Sequence, residues 1–357
     1  MTRVIEIIAD SSLSGAPRHL LTLLNGLKGD FEIEVICPEG WLTDNLKKIG
    51  IKRWSVPMKS YSDHRSAHEL KKIIEESNPD IIHLHGIRAG WLGLNAKINS
   101  QAKRIYTEHL YTFDYHLKNP LREKLQIRGL KKITKWSHII IVPSMAVEQF
   151  LVGGLQTPAK KIRKIYNGLD DYVVKNHPKD KTFGFVGTLN ELKGVSILIE
   201  SVRILAKRYP NLRLEIIGDG PLRDRLEKEA KDLPNIEFIG RVDEILPYLE
   251  RWNFLVAPSL SESFGQVVVE AAIARLPVIA SAAGGLKEVV IDGKTGILVE
   301  RGDVDSLAEA IGELLRSPEE AREMGIEARK LYEKSFTAAK MISEVKNTYD
   351  EVLKNDR

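Results

Sequence analysis

The sequence predicts an α/β protein built from two doubly wound parallel sheets in tandem. Three observations carry this expectation. Short apolar runs alternate with helical patterns along residues 1–170, a polar stretch then interrupts them, and the alternation starts again. A chain of 357 residues suits two domains of ordinary size.

In the first half, Val4–Ala9, Glu32–Cys37, Asp80–Leu84, Arg104–Thr107 and His138–Pro143 read as strands. Helical patterns follow most of them, as at Arg18–Leu27 and His68–Ser77. Strands that alternate with helices imply a parallel sheet with right-handed crossovers. Residues Asp171–Lys181 are polar, contain Pro178 and lose the pattern, so a linker is expected there. Beyond it, Phe183–Gly187, Leu212–Gly218, Ile236–Gly240, Phe254–Ala257, Pro277–Ala280 and Gly296–Val299 read as strands. Helices are expected at Val195–Tyr209, at Leu222–Lys231 and from Val304 to Asn355. The expected division is therefore a Rossmann-like domain at 1–170, a linker at 171–181 and a second Rossmann-like domain at 182–335. A C-terminal helix at 336–357 is expected to pack back on the first domain. Doubly wound domains bind ligands beyond the carboxyl ends of their strands, which puts the expected site in a central cleft that the two domains face.

Composition narrows the function classes. Hydrophobic residues make up 43% of the chain and charged residues 29%, as in a globular protein. Cys37 is the only cysteine, so neither an internal disulfide nor a cysteine-rich zinc site is available. Glu6 and Asp10 interrupt the first apolar run, unlike a signal peptide. No stretch approaches the ~20 apolar residues of a membrane span. These features predict a cytoplasmic location. The net charge of +4 is uneven: residues 1–170 hold 26 basic and 17 acidic residues, a net of +9, and the remainder is net −5.

The strongest local signal is Pro258–Ala271, PSLSESFGQVVVEA. A strand runs into a loop, and a helix is expected to start near Phe264 with Ser263 as its N-cap. Gly265 would let a ligand approach the first turn, whose free amides and positive dipole suit a diphosphate or sugar hydroxyls. Glu262 and Glu270 flank that turn, and carboxylates accept hydrogen bonds from sugar and ribose hydroxyls. Glu270 lies within an apolar run, so its carboxylate needs a partner. The second signal is FGFVGTLNELKG at 183–194, where Lys193 at a helix entrance reads as a solvated lysine or as a cation that neutralises a leaving diphosphate. The third is EIIGDGP at 215–221, which reads as a tight turn or as a crowded floor that admits no side chains.

Together these motifs resemble glycosyltransferase family 4, retaining enzymes of the GT-B fold. The resemblance is dense over 183–300, where IEFIGRV and PVIASAAGGLKEVVIDGKTGILV also match, and the Glu262/Glu270 pair fits the family hallmark. It is looser in the first half, at LSGAPRHLLTLL (13–24), IIHLHG (81–86), IYTEHL (105–110) and IYNGLD (165–170). The resemblance implies that the second domain binds a nucleotide diphosphate sugar, such as a UDP-, GDP- or ADP-sugar, and the first an acceptor. Gly15 would bring backbone close to the donor phosphates, and Lys193 would bind the diphosphate. Glu270 would hold the ribose, and Gly240, Arg241 and Val242 would lie near the base. Glu262 and the amides around Ser263, Phe264, Gly265, Gln266 and Val267 would hold the transferred sugar. His109 matches the histidine that the family places beside the reacting sugar. His109, Lys193 and Glu262 are thus the expected catalytic residues. Two positions depart from the pattern. Thr188, directly after Gly187, stands where the family usually has a second diphosphate-binding arginine, and Leu110 stands where an aspartate often follows the histidine.

The expected reaction is transfer with retention of configuration to a glycan or lipid-linked acceptor, as in polysaccharide or lipopolysaccharide biosynthesis. No Asp-x-Asp site stands in a loop of the expected cleft and no cluster of metal ligands is apparent, so no metal is expected; a lysine and a helix N-terminus can supply the positive field. The segment Lys118–Lys135 holds seven basic residues and one acid. On a helix Lys124, Arg128, Lys131 and Lys135 share a stripe, a solvated face or a docking face for anionic lipid on the inner side of the cell membrane. Two other readings are a non-catalytic nucleotide-sugar-binding homologue and a GT-B sugar-nucleotide epimerase. Nucleic acid is not an expected partner, because the basic surface lacks interleaved aromatics.

Overall fold

The computed structural model describes residues 1–98, 101–175 and 181–354. It divides into two compact units, Met1–Asp170 with Thr337–Arg357, and Asp171–Phe336.

The sheet of the first unit has seven strands: β1 (Arg3–Ile8), β2 (Glu32–Cys37), β3 (Lys52–Ser55), β4 (Ile81–His85), β5 (Lys103–Thr107), β6 (Ile139–Val142) and β7 (Ile162–Lys164). Their order is β3-β2-β1-β4-β5-β6-β7, and every pairing is parallel. Both faces are covered, which is why central strands such as β6 (IIIV) read as unbroken apolar runs. Side chains alternate across the sheet. In β1, Ile5 and Ile7 pack with Leu70, Leu92 and Ile133 on one face. Val4 and Ile8 pack with Leu20, Leu23 and Met341 on the other. The last helix, Ala338–Lys354, belongs to this second layer beside the helix Gly15–Leu27. Asn355, where the sequence ends it, lies outside the described residues.

The sheet of the second unit has six: β8 (Thr182–Val186), β9 (Arg213–Ile217), β10 (Ile236–Gly240), β11 (Leu255–Ala257), β12 (Val278–Ser281) and β13 (Gly296–Val299). The order is β10-β9-β8-β11-β12-β13, again all parallel. Strand order reverses between β8 and β11 here, and between β1 and β4 in the first unit. Such switch points open the crevices in which doubly wound sheets take their ligands.

Several expectations need correction. β3 and β7 were not anticipated, because KRWS and IRK are short, charged edge strands with little apolar signal. Residues 176–180 of the expected linker lie outside the described residues. Its first part is tied down: Asp171 accepts two hydrogen bonds from Arg329, at 2.6 and 2.5 Å, and Lys175 N donates to Glu250 Oε1 at 2.7 Å. Ser263 is not an N-cap. The helix runs Gln266–Ile273 and its cap is Gly265, at φ 98°. A Cβ at Gly265 would lie 2.7 Å from Leu286 Cδ2, so both the left-handed turn and the packing call for glycine. Among the described residues no helix is long and apolar enough to cross a membrane.

Candidate active site

In the second unit, the loops after β8 and β11 flank the switch point and meet each other. Leu260 N donates to Leu192 O at 2.8 Å. Lys193, at the end of the short turn Glu191–Lys193, donates to and pairs with Glu262 of the β11 loop. The helices that follow, Val195–Ala206 and Gln266–Ile273, both start from a left-handed glycine, Gly194 and Gly265, and no side chain caps either. Two positive helix ends therefore open beside the one Lys–Glu pair.

The floor next to them is backbone. Gly187 N donates to Ile217 O at 3.0 Å, and Gly218 N to Gly240 O at 2.8 Å. A Cβ on Gly218, at φ 134°, would sit 1.9 Å from Gly187 O, so the Gly-Asp-Gly turn is a place where side chains do not fit. Thr188 is exposed one residue beyond Gly187. Arg241 is exposed and lies 3.9 Å from Asp219, with Val242 half-buried beside it. Glu270 is 4% exposed, on the second turn of Gln266–Ile273. Ser263 and Val267 are half-buried, and Phe264 is buried with its ring 5.8 Å from that of Phe336. Two polar atoms of these loops are buried without a partner, the acceptor Asn190 Oδ1 and the donor Gln266 Nε2. Buried polar atoms without partners cost stability, and a hydrogen-bonding ligand is one way to satisfy them. Asn190 was missed by sequence reasoning.

In the first unit, His109 follows β5 and the helix that begins at Gly15 follows β1. The structure surrounds His109 with groups that sequence reasoning did not select. His85 Nδ1 lies 3.2 Å from His109 Nε2, and His85 Nε2 lies 2.8 Å from Glu6 Oε2. Glu6 is fully buried. Its Oε1 accepts from Tyr349 Oη at 2.6 Å, and His83 Nδ1 lies 2.7 Å from the same hydroxyl. His83 Nε2 lies 2.7 Å from Thr107 Oγ1. Burial works against the Glu6 charge, but His83 and His85 outweigh it and hold the carboxyl well below its usual range. Burial, and then neighbouring imidazoles, lower His19 to about 3, His85 to about 4 and His109 well below the ordinary histidine value. Neutral imidazoles are competent metal ligands. One nitrogen each of His19, His85 and His109 lie within 4.8 Å of one another, as do ligand atoms of Glu6, His83 and His85. The fold thus gathers groups that look scattered in sequence, where no ligand cluster was apparent.

Comparison with known proteins agrees with this architecture. Residues 13–172 match the family described as Glycosyltransferase Family 4, and residues 171–331 the family described as Glycosyl transferases group 1. The uncharacterized glycosyltransferase MJ1178 of Methanocaldococcus jannaschii is 32% identical over 354 residues, 95% of each chain. The capsular polysaccharide biosynthesis glycosyltransferase CapM of Staphylococcus aureus is 27% identical over 84% of this chain and 85% of its own. Among solved structures, Anabaena HepE in complex with UDP and glucose superposes with a TM-score of 0.86 at 19% identity, over 98% of this chain and 100% of that one. With two parallel Rossmann-like sheets and a relative matched over 95% of both chains, this chain belongs to the family 4 glycosyltransferases of the GT-B fold.

Proposed function

We propose that the chain is a retaining, metal-independent glycosyltransferase that takes a sugar from a nucleoside diphosphate donor and passes it to a glycan or lipid-linked acceptor. The observation that carries this reading is the Lys193–Glu262 pair at the switch point of the second unit, between two uncapped helix starts. In this scheme Lys193 holds the diphosphate, Glu270 the ribose, Gly240–Val242 the base, and Glu262 with the amides around Phe264–Val267 the transferred sugar. The bond from the anomeric carbon to the diphosphate oxygen breaks as the acceptor oxygen bonds to the same face. The acceptor proton passes to the leaving phosphate. Charge develops positively on the sugar and negatively on the leaving group, so a fixed cation and helix amides lower the barrier without a metal. Gly15 brings backbone to the phosphates, and His109 contacts the sugar. Structures of HepE with UDP and glucose and with UDP-glucose support a nucleotide-sugar donor for this fold.

Calorimetric titration with UDP, GDP and ADP in EDTA tests the donor site. One of the three is expected to bind, and its glucose conjugate, or that of another sugar, to be hydrolysed or transferred with EDTA still present. No binding by any nucleotide, or activity that returns only with magnesium or manganese, would defeat this reading. A second expected result concerns Thr188. The side chain is exposed, so Thr188→Arg displaces no core atoms and adds a cation beside Gly187. Nucleoside diphosphate binding should tighten by about tenfold, the scale of one added charge-assisted hydrogen bond. Unchanged or weaker binding by a folded variant would show that this position does not face the phosphates.

The acceptor side has one further observation. In the helix Pro120–Trp136, Leu121 and Leu125 are exposed, 67% and 57%, whereas Leu130 and Ile133 are buried. One exposed apolar turn beside the basic stripe of Lys124, Arg128, Lys131 and Lys135 favours docking on an anionic membrane, and hence a lipid-linked acceptor.

A further inference from the structure

The histidine chain in the first unit has a direction. Glu6 lies in the middle of β1, on the face that carries Val4 and Ile8, and its Cα pairs in register with that of His83 on β4. Three groups lie against its carboxylate. Tyr349 Oη lies 2.6 Å from Oε1, His85 Nε2 2.8 Å from Oε2, and His83 Nδ1 3.2 Å from Oε2. An ionised carboxylate only accepts. Tyr349 and His85 must therefore present hydrogens, from the hydroxyl and from Nε2, and His83 Nδ1, 2.7 Å from a Tyr349 hydroxyl whose hydrogen is committed to Glu6, must donate to that oxygen. The remaining contact is compatible with that choice. Thr107 Oγ1 lies 2.7 Å from His83 Nε2, and a hydroxyl can donate or accept there.

The consequence reaches His109. A neutral His85 that donates from Nε2 has only a lone pair on Nδ1. The nitrogen 3.2 Å from that lone pair is His109 Nε2, so His109 must carry its proton there. His109 Nδ1 is then an acceptor. Among the described residues it has no hydrogen-bond partner. We propose that Glu6 and His85 are positioning residues that lock His109 as its Nε2–H tautomer, so that His109 offers substrate a hydrogen-bond acceptor at Nδ1 and selects a hydroxyl there over a carbonyl or phosphate oxygen. This rests on the assignment of His109 to the sugar under the proposed function. Burial and mutual proximity lower His19, His85 and His109 below the ordinary histidine value, the direction that favours neutral rings. Tyr349 adds a structural corollary: the C-terminal helix helps hold the charge that sets the tautomer.

Histidine-labelled protein with nitrogen-15 gives the tautomers directly from two-bond correlation spectra. In the wild type, His85 and His109 should each show a protonated Nε2 and a bare Nδ1, as single states. Tyr349→Phe removes a bond from the other carboxylate oxygen and should leave both tautomers unchanged. Glu6→Gln replaces a pure acceptor with an amide that can turn either way, so a second set of His109 signals with protonated Nδ1 should appear. If the Gln variant fails to fold, the wild type and Tyr349→Phe spectra decide. A protonated Nδ1 on His109 in the wild type, or an imidazolium at either residue, would overturn the proposal. Signals that move when EDTA is added would overturn it too, in favour of an ion held by His19, His85 and His109. A separate arm tests the underlying assignment. The nucleotide sugar chosen by calorimetry should shift His109 Nδ1 where its nucleoside diphosphate does not. If the tautomers stand but neither ligand moves that nitrogen, His109 does not meet the sugar, while the lock itself survives.

Discussion

Lys193→Ala should weaken binding of the cognate nucleoside diphosphate by about 1.5–3 kcal/mol, roughly 10- to 150-fold, and leave the nucleoside nearly unaffected. The upper part of that range is expected, for a reason visible in the site. Lys193 is paired with Glu262, and both side chains are largely covered, at 26% and 17% exposure. Removing the lysine takes away the cation that meets the phosphates. It also leaves the Glu262 carboxylate without its counter-ion, so an approaching diphosphate meets a bare negative charge. Glu262→Gln separates these two effects. It frees Lys193 from its partner, so diphosphate affinity should rise slightly while transfer of the sugar falls. The backbone should tolerate both changes, because the loop is fixed by the Leu260 N to Leu192 O bond and not by these side chains. Calorimetry on the three proteins with nucleoside and nucleoside diphosphate makes the comparison. Equal losses for the two ligands in Lys193→Ala would show that Lys193 does not read the phosphates.

The two units differ in how much of them the sequence discloses, and the difference follows from chain separation. The loops of the second unit are local. FVGTLNELKG, IIGDGP and PSLSESFGQVVVEA each contain a strand end, a turn and a helix start, so glycine and charge can be read in place. In the last of these the helix start moved from Phe264 to Gln266, because a left-handed Gly265 and the neighbouring Leu286 set the turn, and that packing is not written in the loop itself. In the first unit the network joins Glu6 to Tyr349 across 343 residues. No window along the chain contains it. Two local signals were nevertheless available. Glu6 interrupts the buried strand RVIEII, where an unpaired charge is costly. His83 and His85 alternate on β4, which places them on one face. Together they mark a polar seam through an apolar layer. The helix Pro120–Trp136 was legible in its charges but not in its apolar residues, since periodicity alone cannot tell which leucines the neighbouring elements cover.

That helix sets the second large effect. Changing Lys124, Arg128, Lys131 and Lys135 together to Gln should abolish the salt-sensitive part of binding to vesicles that contain anionic lipid. Each basic residue near such a surface contributes about 1 kcal/mol, so four account for about 4 kcal/mol, nearly three orders of magnitude in partition. Lys124, Arg128 and Lys135 are exposed and Lys131 is half-buried, so Lys131 contributes the smallest share. The electrostatic part is screened over ~10 Å at 0.1 M salt, so wild-type binding should weaken steeply as salt rises. Leu121 and Leu125 supply a part that salt does not screen. They lie one turn apart, and a residue at either position is a helical neighbour of Lys124 or Arg128. Changing both leucines to Ser should therefore keep low-salt binding and remove the residue that persists at high salt. The Gln variant should do the reverse. Neither substitution touches a buried residue, so folding should be preserved and can be checked by circular dichroism. Co-sedimentation with neutral and with anionic vesicles, at low and high salt, resolves the two contributions. Wild-type protein that stays in the supernatant with anionic vesicles at low salt would assign the basic stripe to solvent and the acceptor to a soluble glycan.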